Sequence, residues 1–215
     1  MGAGEGAMGF RLARRFDYLG LEPDRGARSV AGERLARLGR GEVRSVTTAE
    51  LVPKTPFDLI CAFEVLEHLD DDVAELSRWR ALLAPEGRVL VSVPAHRARF
   101  AAADRVVGHV RRYDREDLVR ALRAGGFEPV WIEAWGAGLG HALEWARNRI
   151  ARGAEARSAA AGTARSGRWL QPHGRLQGWM TALGAAPFRL LQHPLRGTGS
   201  GIGWVALARP ARVDA

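Results

Sequence analysis

Short apolar runs alternate with amphipathic stretches through residues 1–134, the pattern of strands and helices laid down in turn. The clearest run lies at 59–63, inside Phe-Asp-Leu-Ile-Cys-Ala-Phe-Glu-Val-Leu-Glu-His (57–68). It is too short for a helix and is followed at once by carboxylate and imidazole side chains. This predicts a buried parallel strand whose carboxyl end opens into a site. With residue 65 onward read as helical, Glu64, Glu67 and His68 stand at i, i+3 and i+4, on one face.

Around that strand, 8–16 reads as a helix with Met8, Leu12, Ala13 and Phe16 on its apolar side, 18–21 as a short strand, and 29–38 as a helix closed by Gly39. A weak strand follows at 43–46. Residues 70–83 carry Val73, Leu76, Trp79 and Leu83 at helical spacing, Pro85-Glu86-Gly87 makes a turn, and 88–93 forms the next strand. Residues 96–109 have no clean period and follow a strand end, which suits a lid or substrate loop. Asp114 opens a helix with Glu116 and Asp117 as favourable anions in its first turn, and strands follow at 127–134 and 203–209. The rhythm predicts an α/β fold, a doubly wound parallel sheet.

Three regions result: a core at 1–134, an insertion at 135–202, and a closing strand and tail at 203–215. The insertion is rich in Trp and Arg. Its middle, 151–167, is Ala, Gly, Ser and Arg and reads as a mobile surface segment. Apolar patches flank it, with Trp135 and Trp145 before and Trp169, Leu176, Trp179, Met180, Leu183, Phe188, Leu190 and Leu191 after. The favoured reading is a pair of helices covering the sheet edge. A sharper one is a cap over an apolar substrate, or an interfacial helix making weak contact with a membrane surface.

Composition changes this picture little. A hydrophobic fraction of 47% in 215 residues suits one globular core, and Cys61 is the only cysteine, so no disulfide framework or thiolate cluster exists. That points to the cytoplasm, as does the lack of a leader pattern or a membrane-length apolar run. The net charge of +8 is local: eleven arginines against Glu155 and Asp214 give +9 over 147–215, leaving −1 for the rest. Lys54 is the sole lysine, a bias that weakens any inference from charge. A solvated surface is the expected reading, and nucleic acid is not an expected partner.

The candidate chemistry begins at the first residues. Gly2-Ala3-Gly4-Glu5-Gly6 leads straight into the first helix, and Glu22, followed by Pro23 and Asp24, stands twenty positions after Gly2 at the end of the second predicted element. Nucleotide-binding α/β units place an acid there for the ribose hydroxyls. With these two stretches, the 57–68 segment and Leu-Leu-Ala-Pro-Glu-Gly-Arg-Val-Leu-Val-Ser-Val-Pro (82–94), the chain resembles the class I S-adenosylmethionine-dependent methyltransferases. The resemblance implies a Rossmann-like, mostly parallel sheet with an antiparallel last strand, S-adenosylmethionine as cofactor and a small-molecule substrate methylated at a hydroxyl. It implies that Gly2, Ala3, Gly4 and Gly6 lie against the methionine part of the cofactor, that Glu22 and the adjoining Pro23 meet the ribose, and that Phe63 and Glu64 approach its amino end. Thr47 stands where relatives often carry an Asp facing the adenine.

The Glu-x-x-Glu-His pattern with a distant His109 is similar to two branches of that family, the ubiquinone-pathway O-methyltransferases and the small-RNA 2′-O-methyltransferases. There the matching residues, here Glu64, Glu67, His68 and His109, bind a divalent metal ion next to the methyl donor. Such an ion would lower the pKa of a substrate hydroxyl; His68 or His109 acting directly as general base is the metal-free alternative. A structural reading stands beside both, with the Glu capping a helix and the His packed in the cleft. His96, Arg112 and Tyr113 are candidate substrate contacts, although an Arg-Arg-Tyr run before a helix is more often surface; Asp58 and Asp70 to Asp72 read as solvated charges and helix N-terminal anions.

One departure from the family is large. Relatives have a hydrophobic first strand directly before the glycines, whereas here Met1 precedes Gly2. That strand is central, so the expectation is a missing or truncated strand, two exposed edges, and a natural protein longer than this sequence. Two rival functions follow: a non-catalytic or membrane-peripheral binding protein that keeps the fold, and a nicotinamide-dependent oxidoreductase, which leaves Glu64, Glu67 and His68 without a role.

Overall fold

A computed structural model describes residues 1–53, 55–158 and 198–212. Strands and helices alternate as α1 (Ala7–Ala13), β1 (Leu19–Leu21), α2 (Arg25–Leu38), β2 (Glu42–Arg44), β3 (Phe57–Phe63), α3 (Asp72–Leu82), β4 (Leu83–Pro94), α4 (Ala102–Val107), α5 (Arg115–Ala124), β5 (Phe127–Trp135), α6 (Leu139–Ser158) and β6 (Gly203–Pro210). Single 3-10 turns stand at Leu66–His68 and Arg97–Arg99.

The strands form two separate pieces. β1 and β2 pair in parallel, and a four-stranded piece has the order β3-β4-β6-β5. β3 and β4 are parallel, while β6 lies antiparallel between β4 and β5. The fold is thus α/β and Rossmann-like, its parallel pairs completed by the antiparallel last strand.

The core forms where the larger piece meets the helices. Val89, Val91 and Val93 of β4 are fully buried, as an interior strand of that piece should be, and pack with Ile60, Leu66, Leu76, Trp79, Leu118, Leu122, Phe127 and Ala206. Trp79 has no exposed surface, and its indole N–H donates to Glu75 at 2.7 Å, so the largest core side chain leaves no polar atom unpaired. Capping follows the sequence. Asp24 accepts from the Ala27 N–H at 2.7 Å and Asp71 from the Ala74 N–H at 2.8 Å, Asp114 and Asp117 form a reciprocal box, and Gly39 ends α2 in a left-handed conformation.

Several expectations are corrected. The predicted turn at 85–87 is an excursion inside one strand: Phe57 pairs with Leu83 and Leu59 with Arg88, so the intervening residues loop out of register. The helix predicted over 8–16 ends at Ala13, and of its apolar side only Ala13 is buried; Met8 and Phe16 remain 46% and 55% exposed. β3 is not buried on both faces, for Leu59 is 40% exposed while Ile60 and Ala62 are covered. Both exceptions border the gap between the two sheet pieces. The irregular 96–109 stretch contains α4, and the segment expected to be mobile from 151 is helical through Ser158. Trp169, Leu176, Trp179, Met180, Leu183, Phe188, Leu190 and Leu191 lie outside the described residues. Among the described residues no helix is long and apolar enough to cross a membrane.

Candidate active site

The glycine segment and Glu22 meet as predicted by their spacing. Gly2, Gly4 and Gly6 all have positive φ, at 61°, 55° and 78°. A Cβ on Gly2 would come within 2.7 Å of Val65, and one on Gly6 within 2.8 Å of Ala31, so those two glycines allow close approach to neighbouring elements. Gly4 differs, because nothing lies within 4 Å of where its Cβ would be. Bare backbone there faces open space. Glu22, buried at the end of β1, accepts from the Gly4 N–H at 2.7 Å and from the Asp24 N–H at 3.0 Å. Each carboxylate oxygen therefore keeps a further lone pair for a donor from solution, such as a hydroxyl.

Thr47 turns inward on its own loop, its N–H and hydroxyl both donating to Glu50 at 2.8 and 3.0 Å. Pro23 offers its carbonyl to Arg28 at 3.0 Å. Phe63 ends β3, half-buried, and Glu64 follows with φ 55°, an uncommon conformation for a side-chain-bearing residue. Its carboxylate accepts from the Ser92 hydroxyl at 2.8 Å.

That kink changes the expected geometry. Glu64, Glu67 and His68 do not share one helical face, because only Leu66–His68 forms a 3-10 turn and Glu64 precedes it in a left-handed conformation. Glu67 instead points into the protein with no exposed surface, and neither of its carboxylate oxygens has a hydrogen-bond partner among the described residues. His68 and His109 join it. One ligand atom from each of the three lies within 4.8 Å of the others, while Glu64 stands outside the group.

The outer contacts define the tautomers. His68 Nδ1 is 3.1 Å from the Gly108 carbonyl, which can only accept, so Nδ1 carries the proton and Nε2 keeps a lone pair. His109 Nδ1 lies 3.0 Å from Asp104 Oδ1 and by the same reasoning donates, leaving Nε2 towards Glu67 Oε1 at 3.7 Å. Burial and the nearby His109 ring hold the His68 pKa below its usual value, outweighing the Gly108 contact. Burial, then the like charges of Glu64 and Asp104, push Glu67 up to about 8. Two imidazoles and a buried carboxyl with no partner among the described residues make a donor set suited to a borderline divalent cation.

Arg112 and Tyr113 are corrected from surface or substrate contacts to buried supports. Arg112 holds Asp104 with two bonds of 2.9 Å and also pairs with Glu144 of α6, to which Arg99 is bonded as well. Tyr113 donates to Asp72 at 2.6 Å and to the Leu66 carbonyl at 3.2 Å, bracing the 3-10 turn. Asp72 is accordingly buried rather than solvated. His96 packs edge-on against Trp204 at 5.7 Å. Sequence reasoning missed Asp104, Ser92 and Glu144. Asp104 stands five residues before His109, a spacing with no local periodicity to reveal it.

Comparison with known proteins identifies the family. The model of a methyltransferase domain matches residues 1–131. A probable S-adenosylmethionine-dependent methyltransferase of Mycolicibacterium smegmatis is 34% identical over 120 residues, covering 54% of this chain and 45% of that protein. A ubiquinone biosynthesis O-methyltransferase of Rhodopseudomonas palustris is 41% identical over 51 residues, 24% of this chain and 20% of that one. The chain thus spans less than half the length of these curated relatives. The crystal structure of the [4+2]-cyclase SpnF superposes with a TM-score of 0.61 at 18% identity, covering 99% of this chain and 74% of that one. A likeness at that identity speaks for the fold and leaves the reaction to the site. With the family match extending over more than half of its length, the chain belongs to the class I S-adenosylmethionine-dependent methyltransferases.

Proposed function

We propose that the chain transfers a methyl group from S-adenosylmethionine to a hydroxyl oxygen of a small-molecule acceptor, beside a divalent cation held by Glu67, His68 and His109. The observation that carries this reading is Glu67: a carboxyl with no exposed surface and no hydrogen-bond partner among the described residues, with His109 Nε2 3.7 Å away and a ring nitrogen of His68 close by. A buried carboxyl without a partner costs on the order of 1–3 kcal/mol, a cost that ligation would remove.

The cofactor's fit rests on Gly4 and Glu22. Gly4 leaves backbone open to a ligand, and the two spare lone pairs of the buried Glu22 carboxylate can accept from vicinal ribose hydroxyls. Ala3, whose N–H donates to Leu21, and Pro23, Thr47, Phe63 and Glu64, at or just after the ends of β1, β2 and β3, are the further contacts of this reading. Gly2 and Gly6 set the loop's approach to Val65 and Ala31.

A divalent cation, once bound, would lower the pKa of an acceptor hydroxyl. The chain's own residues do the rest. Asp104 and the Gly108 carbonyl orient the two imidazoles, and Arg112 fixes Asp104. In the metal-free alternative His109 Nε2 accepts the acceptor's proton directly as the O–CH3 bond forms and the CH3–S bond breaks.

The test is calorimetric titration with S-adenosylhomocysteine, followed by transfer of a labelled methyl group to phenols and catechols with and without a chelator. Binding that E22A weakens and transfer that a chelator stops support the reading. Transfer indifferent to chelator and to E67Q removes the cation, and absence of S-adenosylhomocysteine binding removes the reaction itself.

A further inference from the structure

A buried chain of alternating charges ties α6 to the His109 ring. It starts at Arg99, runs through Glu144, Arg112 and Asp104, and ends on the imidazole. Glu144 is the junction: one of its carboxylate oxygens accepts from Arg99 and the other from Arg112. Arg112 grips Asp104 through Nε and Nη2, both at 2.9 Å, and Asp104 Oδ1 lies 3.0 Å from His109 Nδ1. Asp104, Arg112 and Glu144 are 3%, 7% and 9% exposed, so water does not readily replace a lost partner.

The chain fixes orientation as well as position. Asp104 Oδ1 is shared by Arg112 Nε and His109 Nδ1, and Oδ2 by Arg112 Nη2 and the Ala101 N–H at 2.8 Å. The carboxylate plane, and with it the direction in which His109 Nδ1 donates, is therefore set by the guanidinium fork. The fork has one edge left, Nη1, which meets Glu144 and, at a long 3.4 Å, the Ala95 carbonyl. Without Glu144 that edge keeps only the weak bond, and the fork is free to turn on Asp104. His109 Nε2 then loses its aim at Glu67 Oε1, 3.7 Å away.

We propose that Glu144 is a positioning residue of the site, acting through Arg112 and Asp104 to hold His109 with Nδ1 as donor and Nε2 turned to Glu67. The assignment makes α6, the first helix of the region read from the sequence as an insertion, a support of the site. Other contacts of the same helix separate this role from simple docking. Asn148, one turn on, accepts from the Ala103 N–H at 3.2 Å, and Ala151 clusters with Ala102 and Ala103. These hold α6 against α4 without touching the charged chain. The consequence for cation affinity rests on the ligand set proposed above; the consequence for the ring does not.

The experiment compares the parent with E144A, E144Q and N148A. Ring-nitrogen NMR spectra of histidine-labelled protein in mildly alkaline buffer, with His109 assigned by H109N, report which ring nitrogen carries the proton. Calorimetry reads Zn2+ and S-adenosylhomocysteine binding. E144A should turn the single His109 tautomer into a mixture and weaken Zn2+ binding about tenfold or more, with S-adenosylhomocysteine binding kept. E144Q, whose amide oxygen still accepts from Arg112, should keep the parent's tautomer and hold Zn2+ affinity within about threefold. N148A should change neither. Parent-like spectra and Zn2+ affinity in E144A would overturn the proposal. The same changes in N148A would overturn it too, by reducing Glu144 to a helix-docking contact. Should E144A fail to fold, E144D, one methylene short of Arg112, takes its place with the same expected direction, and a parent-like His109 signal there would sink the proposal. If the parent itself binds no Zn2+, the cation reading falls, while the ring spectra still decide the role of Glu144.

Discussion

His68 and His109 meet edge to face, with ring centroids 4.7 Å apart and planes at 79°. They come from segments 41 residues apart in sequence, and each commits its Nδ1 to an acceptor, Gly108 for one and Asp104 for the other. The pairing leaves two lone pairs beside Glu67, the buried carboxyl that has no hydrogen-bond partner among the described residues. Metal ligation and proton transfer both use this arrangement.

Glu67 should make the cation-free protein pH-sensitive. Its pKa rises from the ordinary carboxylate range to about 8, chiefly through burial. Between those values the folded state binds the proton that the unfolded state has lost. The contribution is fully present below about pH 4.5 and is lost as pH rises through about 8. E67Q should therefore match the parent near pH 4 and exceed it at pH 9 by on the order of 2 kcal/mol, measured by urea unfolding in chelator. The same variant should lose Mn2+ or Zn2+ binding, by about 100-fold in calorimetry, while S-adenosylhomocysteine binding persists.

Asp104 shifts the other way. Burial alone would raise its pKa, but hydrogen bonds from His109 and Arg112 outweigh it and hold the carboxyl at about 2. Its stabilisation is present above about pH 4 and disappears as pH falls through about 2. D104N should cost about 3 kcal/mol at pH 7, because it strands the buried Arg112, and the difference from the parent should shrink towards pH 2. Chemical denaturation across that pH range checks it. Cation affinity should fall about 10- to 100-fold at the same time, since His109 loses its orienting acceptor.

Glu22 tests the cofactor end separately. E22A removes the acceptor for hydroxyls and frees the Gly4 N–H, so S-adenosylhomocysteine affinity should drop about tenfold or more in calorimetry, with cation binding unchanged. A parallel loss of both would mean that the two ends of the site fold as one unit.

Gly6 is a packing requirement. Its φ of 78° and the 2.8 Å approach of a hypothetical Cβ to Ala31 combine strain with a clash against helix backbone. G6A should destabilise the protein by about 1–3 kcal/mol. G4A places a methyl group in open space, so its cost should come from φ alone, about 1 kcal/mol in thermal unfolding, with a larger loss in S-adenosylhomocysteine affinity.

By itself the sequence determined the order of the strands and of most helices, the glycine loop and the position of Glu22 after β1, because period, capping residues and glycine are local signals; α4, in a stretch without period, was not among them. Asp71, Asp114 and Gly39 cap the helices they were assigned to, within the reach of a few residues, whereas Asp24 caps α2 four residues ahead of the start its spacing suggested. Only the tertiary structure decided which groups meet. The left-handed Glu64 broke the assumed helical face and sent Glu67 inward, and Asp104 reached His109 and Arg112 through a fold of the chain that has no period. The Met8, Phe16 and Leu59 side chains read as core from their spacing, and they stay exposed because burial needs a neighbour, and the space beside them between β1 and β3 is open. Periodicity reports which face of an element seeks cover; the presence of cover is a property of everything packed around it.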